Sequence, residues 1–426
     1  MSTWVIAVIL ILLALLGAPL FTIIGGIALV AFDREGIDTS SVIIELYRIA
    51  ETPTLIAIPL FTFAGYLLAE GRSPQRLLTL ARAMFGWIPG GLAIVVLAIC
   101  AFFTAFTGAS GVTIVALGGI TLPILMKELY PERFSLGLVT ASGSIGLLFP
   151  PSLPIILYGI IAEVSIDQLF VAGVIPGLLL VSFVAMYSVR VGVRTRVPRI
   201  SFSWPNLWSA IRGAAWEIPL PFIIVGGIYG GAFTATEASA VTAFYVLIVV
   251  TFVYRDMHLF RDVPRVMKES MILVGSILAI LGTALGLTNY LIDKEVPQRL
   301  FEFVQSNVDS KVTFLLILNL FLLIVGMMMD IFSAIIVVVP LILPIARAFQ
   351  IDPLHLGIIF LTNLEIGYLT PPVGLNLFLS SLRFEKPILE VARSVLVFIA
   401  IMVAALLVIT YVPDLSLWLV KSLGIH

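Results

Sequence analysis

The sequence is dominated by long apolar runs that are separated by short polar segments. Most runs hold about 20 residues, the length of helix that crosses the hydrocarbon core of a bilayer. Charged residues are concentrated between the runs. The pattern predicts an all-α polytopic membrane protein. The apolar runs cover about residues 4–32, 54–70, 88–127, 134–163, 169–190, 214–231, 234–254, 270–292, 312–350, 355–382 and 388–412.

Two of the runs, 88–127 and 312–350, are twice the usual length and are interrupted near their centres. The first interruption reads FTGASGVT (106–113) and the second reads GMMMDIFS (326–333). Each run is either a re-entrant hairpin or a pair of complete spans. Both interpretations enter and leave on the same side of the membrane, so the topology of the remaining chain is the same.

Two further runs contain adjacent prolines, in GLLFPPSLP (146–154) and in GYLTPPVGL (367–375). Proline removes a backbone donor and interrupts the helical hydrogen bonds. A plain proline kink is one explanation of each motif, because membrane helices tolerate kinks that have no function. The other explanation is a pair of discontinuous helices, whose freed backbone carbonyls can coordinate a cation.

A shift of about 221 residues aligns the two halves of the chain. The aligned landmarks are glycines and prolines: Gly146 with Gly367, Pro150 with Pro371, Pro151 with Pro372, and Pro123 with Pro344. One residue has to be skipped between these landmarks. Because both glycine and proline positions recur at nearly the same spacing, the repeat favours discontinuous helices over unrelated kinks.

The lysines and arginines indicate that the N-terminus is cytoplasmic. In that orientation 17 of the 24 basic residues lie on the cytoplasmic side, as the positive-inside rule requires. Five single spans then separate the two long runs, which therefore open to opposite faces. The prediction is an inverted repeat, an arrangement found in secondary transporters whose binding sites lie at broken helices near the midplane.

The predicted organisation has three parts. They are a first repeat at 1–195 (hairpin 88–127, broken helix 134–163), a cytoplasmic linker and connecting span at 196–233, and a second repeat at 234–426 (hairpin 312–350, broken helix 355–382).

Composition agrees with a membrane protein and excludes several other classes. Hydrophobic residues make up 60% of the chain, charged residues 12%, and mean hydropathy is +1.15. The first run is too long for a signal peptide and is expected to be retained. The single Cys100 cannot form an internal disulfide, and the three scattered histidines form no metal signature. HExxH, GxSxG and Walker motifs do not occur in the sequence. The basic, aromatic segment from Arg194 to Trp208 fits anionic lipid headgroups, not nucleic acid.

Two acidic residues, Asp330 and Glu365, lie at membrane depth, where carboxylates are candidates for function. Asp330 is a candidate cation ligand or the N-cap of the returning half-helix, and the two roles are compatible. Glu365 either neutralises cations or pairs with an arginine such as Arg347. Thr234 and Glu237 fit a capping box in an ordinary turn between two spans.

The sequence resembles the large membrane subunit of the tripartite ATP-independent periplasmic (TRAP) transporters along essentially its whole length. The shared motifs are GAPLF, FTGASGVT, GLLFPPSLPIILYG, GGIYGGAFTATEASAV, MMMDIFSAIIVVVPLILP and GYLTPPVGLNLF. Ala235 departs from the family pattern, which usually has proline in FTPTEA, and only a local effect on the turn is expected. The resemblance implies an inverted-repeat, elevator-type fold with two re-entrant hairpins and two discontinuous helices in the bacterial inner membrane.

The resemblance also implies sodium-gradient-driven uptake of a small organic acid, with sodium as the coupling ion and no resident cofactor. Similar chains receive their substrate from a soluble periplasmic binding protein and work with a small four-helix membrane subunit. Docking is expected on the periplasmic loops near Asp33–Glu51 and Asp293–Lys311. The substrate stays open, because similar chains handle sialic acids, C4-dicarboxylates, keto acids, sugar acids and ectoines.

In such transporters sodium lies between each hairpin tip and the unwound part of the neighbouring broken helix. Carried onto this chain, the resemblance implies a first sodium site with Ser110, Gly146 and Pro150. It implies a second sodium site with Asp330, Gly367, Thr370 and Pro371. The substrate carboxylate would bind N–H groups at a hairpin tip, with candidate residues Thr107, Gly108, Ala109, Ser152 and Asn376.

Three alternatives remain open. They are a stand-alone sodium/carboxylate symporter of the same superfamily that needs no binding protein, a passive channel, and an intramembrane hydrolase. Inverted halves around an occluded midplane site disfavour a channel. A hydrolase needs a nucleophile, metal or acid-pair constellation, which Asp330 and Glu365 resemble without supplying. We therefore expect a transporter and not an enzyme.

Overall fold

The structure is a computed structural model that describes residues 9–10, 12–13, 16, 18–40, 42–44, 47, 51–197, 201–308 and 310–424. Those residues form helices and connecting turns and contain no strand. The all-α prediction is therefore confirmed. The beginning of the first predicted span, Gly17 of GAPLF and part of the predicted docking loop before Glu51 lie outside the described residues.

The helices are numbered in chain order. They are α1 Leu20–Arg34, α2 Ala57–Glu70, α3 Ser73–Phe85, α4 Gly91–Thr107, α5 Ser110–Ala116, α6 Gly118–Lys127, α7 Glu132–Ile145, α8 Leu153–Ala162, α9 Ile166–Arg194, α10 Trp204–Gly213, α11 Pro219–Tyr229, α12 Ala235–Ile248, α13 Asp262–Asp293, α14 Val296–Asn307, α15 Lys311–Met328, α16 Ile331–Ala348, α17 Pro353–Gly367, α18 Leu375–Phe384, α19 Ile388–Tyr411 and α20 Asp414–Ser422.

The helices follow the predicted apolar runs closely. Within the described residues, seven helical segments are long and apolar enough to cross a membrane, or up to nine if each sharply bent pair counts as one span. The predicted span at 214–231 is shorter than expected, because residues 214–218 form turns and helix α11 covers only Pro219–Tyr229. The chain is therefore a multi-pass membrane protein.

Each double-length run folds into two helical arms that meet at a polar tip, and we call these structures the first and second hairpins. In the first, α4 ends at Gly108 in the left-handed region (φ 63°), and α5 and α6 return with a bend of 51° between them. In the second, α15 and α16 meet at Met329 and Asp330. The arms of the second hairpin are 18 residues each, so the choice between re-entrant loops and complete spans stays a prediction.

Both diproline motifs interrupt their helices, as predicted, and we call the two elements the first and second broken helices. The first consists of α7, a 3-10 turn at Gly146–Leu148 and then α8, with a bend of 42°. The second consists of α17, which ends at Gly367, and α18, which starts at Leu375. The Pro150–Pro151 and Pro371–Pro372 peptide bonds are both cis.

The hairpins and broken helices pack in a matched way, and together we call them the hairpin core. The first arms, α4 and α15, pack on α7 and α17 of their own halves. The return arms cross over, so that α5 packs on α18 of the second half and α16 packs on α8 of the first. This reciprocal packing is what two related halves produce. The opposite orientation of the halves in the membrane and the boundaries 1–195, 196–233 and 234–426 stay predictions.

Glycines allow the close approaches within the hairpin core. A Cβ atom on Gly146 would lie 2.2 Å from the Ala101 carbonyl oxygen on α4, and one on Gly367 would lie 2.4 Å from the carbonyl carbon of Gly326 on α15. Real Cβ contacts are rarely that short. The two glycines that the sequence repeat aligns therefore have the same structural role, which is to seat a broken helix against its hairpin.

Helices α1, α2, α12 and α13 form a second group, which we call the frame and which contacts the hairpin core through α2 and α13. Helix α13 packs on α1 and α2, and α2 also packs on α12. The predicted capping box at the start of α12 is confirmed, since the Glu237 N–H donates to Thr234 Oγ1 and the Thr234 N–H donates to Glu237 Oε2. Large apolar side chains that point away from the molecule, such as Phe252 and Ile272, fit contact with lipid.

A buried ion cluster joins α3 to the segments around α11 and α12. The Arg76 side chain donates to Glu217 Oε1 at 2.6 Å and to Asp256 Oδ2 at 2.7 Å, and it stacks over the Tyr254 ring. The Tyr254 hydroxyl donates to Glu217 Oε2. Burial alone would lower the pKa of Arg76, but the hydrogen bonds to the two carboxylates raise it above its ordinary value. The cluster therefore fixes α3 to its neighbours.

Candidate functional site

A cavity of about 320 Å³ lies between the tips of the two hairpins. Both tips, the breaks in both broken helices and two frame helices contribute to its wall. The residues that line it are Tyr66, Gly108, Ala109, Ser110, Gly111, Val112, Leu147, Leu273, Ser276, Ile277, Ile280, Asp330, Ile331, Phe332, Tyr368 and Leu375. The site is therefore built where the hairpin core faces the frame.

The first hairpin tip is held tightly against the start of α8. The left-handed backbone at Gly108 places the tip so close to Leu153 that a Cβ atom on the glycine would lie 2.3 Å from the Leu153 Cγ. Thr107 is buried, and its hydroxyl donates a long hydrogen bond of 3.4 Å to the Ala109 carbonyl. Of the predicted substrate residues, Gly108 and Ala109 line the cavity, whereas Thr107 faces the protein interior.

Ser110 connects the first hairpin tip to the second broken helix. Its hydroxyl donates to Asn376 Oδ1 at 2.7 Å, and both side chains are buried. The Asn376 amide nitrogen has no hydrogen-bond partner among the described residues. The structure thus joins a predicted sodium residue and a predicted substrate residue that lie in different halves of the sequence.

The remaining members of the predicted first sodium site lie beside this tip but do not line the cavity. Gly146 packs on α4, and Pro150 is half-buried in the break of the first broken helix. Ser152, a predicted substrate residue, is fully buried, and its hydroxyl has no hydrogen-bond partner among the described residues. The break therefore carries polar atoms whose hydrogen bonds are not all made within the described chain.

The second hairpin tip is organised by Asp330, whose predicted capping role is confirmed. Its Oδ1 accepts hydrogen bonds of 3.0 Å from the N–H groups of Phe332 and Ser333, and its Oδ2 accepts one from the Ser333 hydroxyl. The Ile331 N–H donates to the Tyr368 hydroxyl oxygen at 2.5 Å. These bonds attach the start of α16 to the second break and leave the Asp330 side chain at the cavity wall.

The second break lies directly against this tip. The Gly374 N–H donates to the Met327 carbonyl at 3.2 Å, and the Thr370 hydroxyl donates to the Ile366 carbonyl at 2.9 Å. Gly367 contacts Gly326 through the backbone, whereas Pro371 lies on the surface. Asp330, Gly367 and Thr370 are thus gathered near the second hairpin tip, and Pro371 is the most exposed of the predicted sodium residues.

Charge in the cavity comes from one side chain. Asp330 is the only Asp, Glu, Lys, Arg or His among the lining residues that the structure describes. No group of three or more His, Cys, Asp or Glu side chains able to hold a metal occurs in the described part of the chain. Because no lining side chain is basic, an organic anion in this cavity would need positive charge from another source.

Three lining residues with a side-chain hydroxyl were not singled out by the sequence analysis: Tyr66, Ser276 and Tyr368. Tyr368 lies inside the GYLTPPVGL motif, but the motif does not indicate that this residue lines a cavity. Tyr66 and Ser276 lie on the frame helices α2 and α13 in ordinary apolar surroundings. No local pattern marks them, because they belong to the site only through the packing of the frame on the hairpin core.

Of the two alternatives for Glu365, the ion pair with an arginine such as Arg347 is wrong. Arg347 is exposed at the end of α16, whereas Glu365 is completely buried and both of its carboxylate oxygens lack a hydrogen-bond partner among the described residues. Glu365 does not line the cavity, so it forms no acid pair there with Asp330. The arrangement needed by an acid-pair hydrolase is therefore missing from this cavity.

Comparison with known proteins identifies the relatives of the chain. Residues 5–415 match the family model described as "Tripartite ATP-independent periplasmic transporter, DctM component". The C4-dicarboxylate TRAP transporter large permease protein DctM of Pseudomonas aeruginosa is 39% identical over 404 residues, which cover 94% of this chain and 93% of the relative. The isethionate TRAP transporter permease protein DctMQ of Oleidesulfovibrio alaskensis is 38% identical over 372 residues, which cover 85% of this chain and 58% of that protein.

The fold also matches a solved structure. The YdaH transporter of Alcanivorax borkumensis, whose crystal structure shows an unusual topology, superimposes with a TM-score of 0.59 over 90% of this chain and 88% of that one. The two sequences are 13% identical. This likeness concerns the fold alone.

Proposed function

The chain belongs to the DctM component family of tripartite ATP-independent periplasmic transporters, and we propose that it carries a small organic acid across the bacterial inner membrane by using a sodium gradient. Members of this family are permease subunits and not enzymes. Sodium acts here as a transported coupling ion, and no resident cofactor is proposed.

The cavity between the hairpin tips is the observation that carries this proposal. Its described lining contains Asp330 and no basic side chain, so an organic anion cannot be neutralised there by lysine or arginine. Placing an uncompensated anion in a low-dielectric site is costly. Co-bound sodium ions supply the missing positive charge, and this requirement couples anion uptake to the sodium gradient.

Two sodium sites are proposed next to the cavity, one at each hairpin tip. The first uses Ser110, Gly146 and Pro150, and the second uses Asp330, Gly367, Thr370 and Pro371. Backbone carbonyls and hydroxyls at broken helices are suitable ligands for a hard cation. The substrate carboxylate is proposed to bind near Gly108, Ala109 and Ser110, with Thr107, Ser152 and Asn376 supporting the tip from behind.

The division into a hairpin core and a frame supports an elevator-type movement. Side chains of the hairpin core and of α2 and α13 face each other across the cavity, at Ser110 and Asp330 on one side and Tyr66 and Ser276 on the other. Movement of the hairpin core along the frame would then carry the cavity between the two faces of the membrane. A cytoplasmic N-terminus, inferred from the basic residues, completes the proposed orientation.

Two protein partners are proposed for this permease. One is a small four-helix membrane subunit, an idea that the combined name DctMQ of one relative supports. The other is a soluble periplasmic binding protein that delivers the substrate, with docking on the loops near Asp33–Glu51 and Asp293–Lys311. Relatives named for C4-dicarboxylates and for isethionate point to small organic anions as the substrate class.

The test is uptake into proteoliposomes that contain this chain, its small subunit and its binding protein. We expect accumulation of labelled C4-dicarboxylate only when sodium is higher outside than inside. Uptake that continues with no sodium on either side would refute sodium coupling. Full uptake by this chain alone, without binding protein or small subunit, would favour the stand-alone symporter.

A further inference from the structure

A cavity of about 400 Å³ lies between the start of α7, the end of α9 and the first half of α19. We call it the lateral cavity; Arg133, Tyr187, Arg194 and Phe398 are among the residues that line it. Its volume is within the range of small-molecule sites, about 300–1,000 Å³. None of the residues proposed above to bind sodium or the substrate lines it. What the lateral cavity binds therefore has to be inferred from its own side chains.

The lateral cavity changes from charged to apolar along the helices that form it. Arg194 is the last residue of α9 and lies beyond the predicted apolar run 169–190, whereas Tyr187 lies inside that run. The two residues are seven apart, so they share one face of the helix. Arg133 directly precedes the predicted run 134–163. The arginines therefore lie at the edge of the membrane-spanning part of the chain, with the apolar wall on its inner side.

Three aromatic rings form the apolar floor of the lateral cavity. The Phe134 ring centroid lies 5.7 Å from that of Tyr187 and 5.8 Å from that of Phe398, and the last two are 5.4 Å apart. Phe134 and Phe398 are buried, and Tyr187 is half-buried. Val397, which also lines the cavity, is 44% exposed. The floor is therefore a packed apolar surface with an open apolar side, which suits a hydrocarbon chain.

The two arginines of the lateral cavity have no acidic partner. Neither Arg133 nor Arg194 forms an ion pair with the residues that the structure describes. The Arg133 guanidinium donates to the backbone carbonyl of Arg393 on α19, at 2.8 Å from Nη2. This bond holds the guanidinium in place without neutralising its charge. The cavity thus carries two positive charges that the described chain does not balance.

The acids nearest in sequence are already engaged by another cation. Glu132 adjoins Arg133, and Glu390 lies on the first turn of α19. Both pair with Lys386, at 2.5 Å and 3.6 Å. No described lining residue of the lateral cavity is acidic. A zwitterionic ligand would therefore find no carboxylate there for its ammonium group, whereas an anionic ligand needs none.

A cavity of the same size between α3 and α10 shows the opposite arrangement. Its arginines are Arg76 and Arg82. Arg76 is paired with Glu217 and Asp256. Arg82 is paired with Glu128. The charges of that cavity are balanced within the protein, so unpaired arginines are a particular property of the lateral cavity and not of every basic surface on this chain.

We propose that the lateral cavity binds one anionic phospholipid, such as phosphatidylglycerol. Its phosphate accepts charge-assisted hydrogen bonds from Arg133 and Arg194, and one acyl chain covers the aromatic floor. The Tyr187 hydroxyl, which makes no hydrogen bond within the described chain, is a further donor at this site. The predicted orientation places the arginines on the cytoplasmic side, where anionic headgroups attract basic residues. The proposal does not depend on the transport function.

The first experiment counts bound lipids. Full-length protein in a neutral detergent is titrated with phosphatidylglycerol, and native mass spectrometry measures how many lipids each chain holds. We expect one lipid to bind more tightly than the rest. Removal of one arginine near an anionic lipid changes affinity about fivefold, so Arg133→Gln/Arg194→Gln should weaken this lipid about 30-fold.

The matched control removes the same charge outside the lateral cavity. Arg82→Gln/Arg265→Gln replaces two arginines that are paired with acids, and it is expected to leave the tight lipid unchanged. An equal loss of affinity in this control would show general attraction to basic residues and overturn the site. A wild-type protein that holds no tight phosphatidylglycerol overturns it as well.

Wild-type protein alone separates an anionic lipid from related ligands. Phosphatidylglycerol is expected to bind at least about fivefold more tightly than phosphatidylcholine or phosphatidylethanolamine. Glycerol 3-phosphate has a phosphate but no acyl chain, and it is expected not to displace the lipid. Equal binding of the zwitterionic lipids refutes the role of charge. Displacement by glycerol 3-phosphate would show that the cavity takes soluble phosphate esters and refute the lipid.

A third measurement locates the lipid while both arginines are in place. A fluorophore is attached to Leu396→Cys, next to the lining residue Val397, or to the control Ile272→Cys on α13; both positions are exposed, and the native Cys100 is buried. The protein is placed in phosphatidylcholine nanodiscs with increasing spin-labelled phosphatidylglycerol. We expect the Leu396→Cys label to be quenched at a lower fraction of spin-labelled lipid. Equal quenching of both labels would show ordinary surrounding lipid only and refute the site.

Discussion

The backbone contact between Gly326 and Gly367 allows a quantitative test of how the proposed second sodium site is built. In Gly367→Ala the new Cβ would lie 2.4 Å from the Gly326 carbonyl carbon and 2.6 Å from its Cα, whereas ordinary contacts begin at 3.4 Å. Both opposing atoms belong to the backbone, so no side chain can rotate away. Helices α15 and α17 must separate by about 1 Å in a core that is packed as densely as an organic crystal.

The energetic effect follows from this displacement. Overpacking of a well-packed interior costs about 1–3 kcal/mol, and the higher helix propensity of alanine offsets at most about 1 kcal/mol of that. The same displacement pulls Met327 away from the Gly374 N–H, which now donates to its carbonyl at 3.2 Å. If 1.4 kcal/mol of this loss falls on the sodium-bound form alone, sodium binding at the proposed second site weakens about tenfold.

The assay is thermal unfolding of the purified protein in detergent over a range of sodium concentrations, together with the sodium dependence of uptake. We expect Gly367→Ala to lower the unfolding temperature and to shift both sodium curves to higher concentration. Gly275→Ala is the matched control, because a Cβ at Gly275 on α13 meets nothing within 4 Å. Wild-type sodium curves in Gly367→Ala, or equal damage in Gly275→Ala, would refute the argument.

Five further substitutions, at four positions, test other contacts by unfolding temperature. Ser110→Ala is expected to lower the free energy of unfolding by about 1–3 kcal/mol, since it removes the donor to the buried Asn376. An unchanged stability would mean that water replaces this hydrogen bond. Asp330→Ala is expected to lower the free energy of unfolding by about 0.5–2 kcal/mol, because the helix loses its cap. Asp330→Asn keeps an acceptor oxygen and is expected to keep most of the stability. Equal losses in the two variants would show that the charge of Asp330, and not its capping role, stabilises the protein. Arg76→Ala is expected to lower the free energy of unfolding by about 3 kcal/mol, because it leaves two buried carboxylates without their cation. Arg265→Ala is the control and is expected to lower it by less than about 1 kcal/mol, because the ion pairs of Arg265 are exposed.

Much of the fold could be predicted because its determinants are local. The positions of the helices follow from the length of the apolar runs, and both breaks follow from prolines that lack a backbone donor. The capping box at Thr234 and the cap at Asp330 were recognisable because a short side chain reaches only the next turn of backbone. The predicted span 214–231 was too long, because hydropathy does not distinguish a helix from the turns that residues 214–218 form.

The site was predictable only in part. The sequence repeat placed Gly146 and Gly367 at equivalent positions, and the structure gives both the same packing role. It did not show that Ser110 pairs with Asn376 across 266 residues, or that Tyr66 and Ser276 join the cavity wall. It also allowed Glu365 to pair with Arg347, although the structure leaves the acid buried and the arginine exposed.

Local sequence specifies where the chain can cross a bilayer and where its helices must stop, because a helix in lipid has to satisfy its hydrogen bonds within its own segment. Tertiary structure decided which interrupted segments meet, which polar atoms find partners and which are left without one. Those outcomes depend on the crossing of helices that are hundreds of residues apart in sequence. The same carboxyl group can be paired or stranded according to that packing alone, as Glu217 and Glu365 demonstrate.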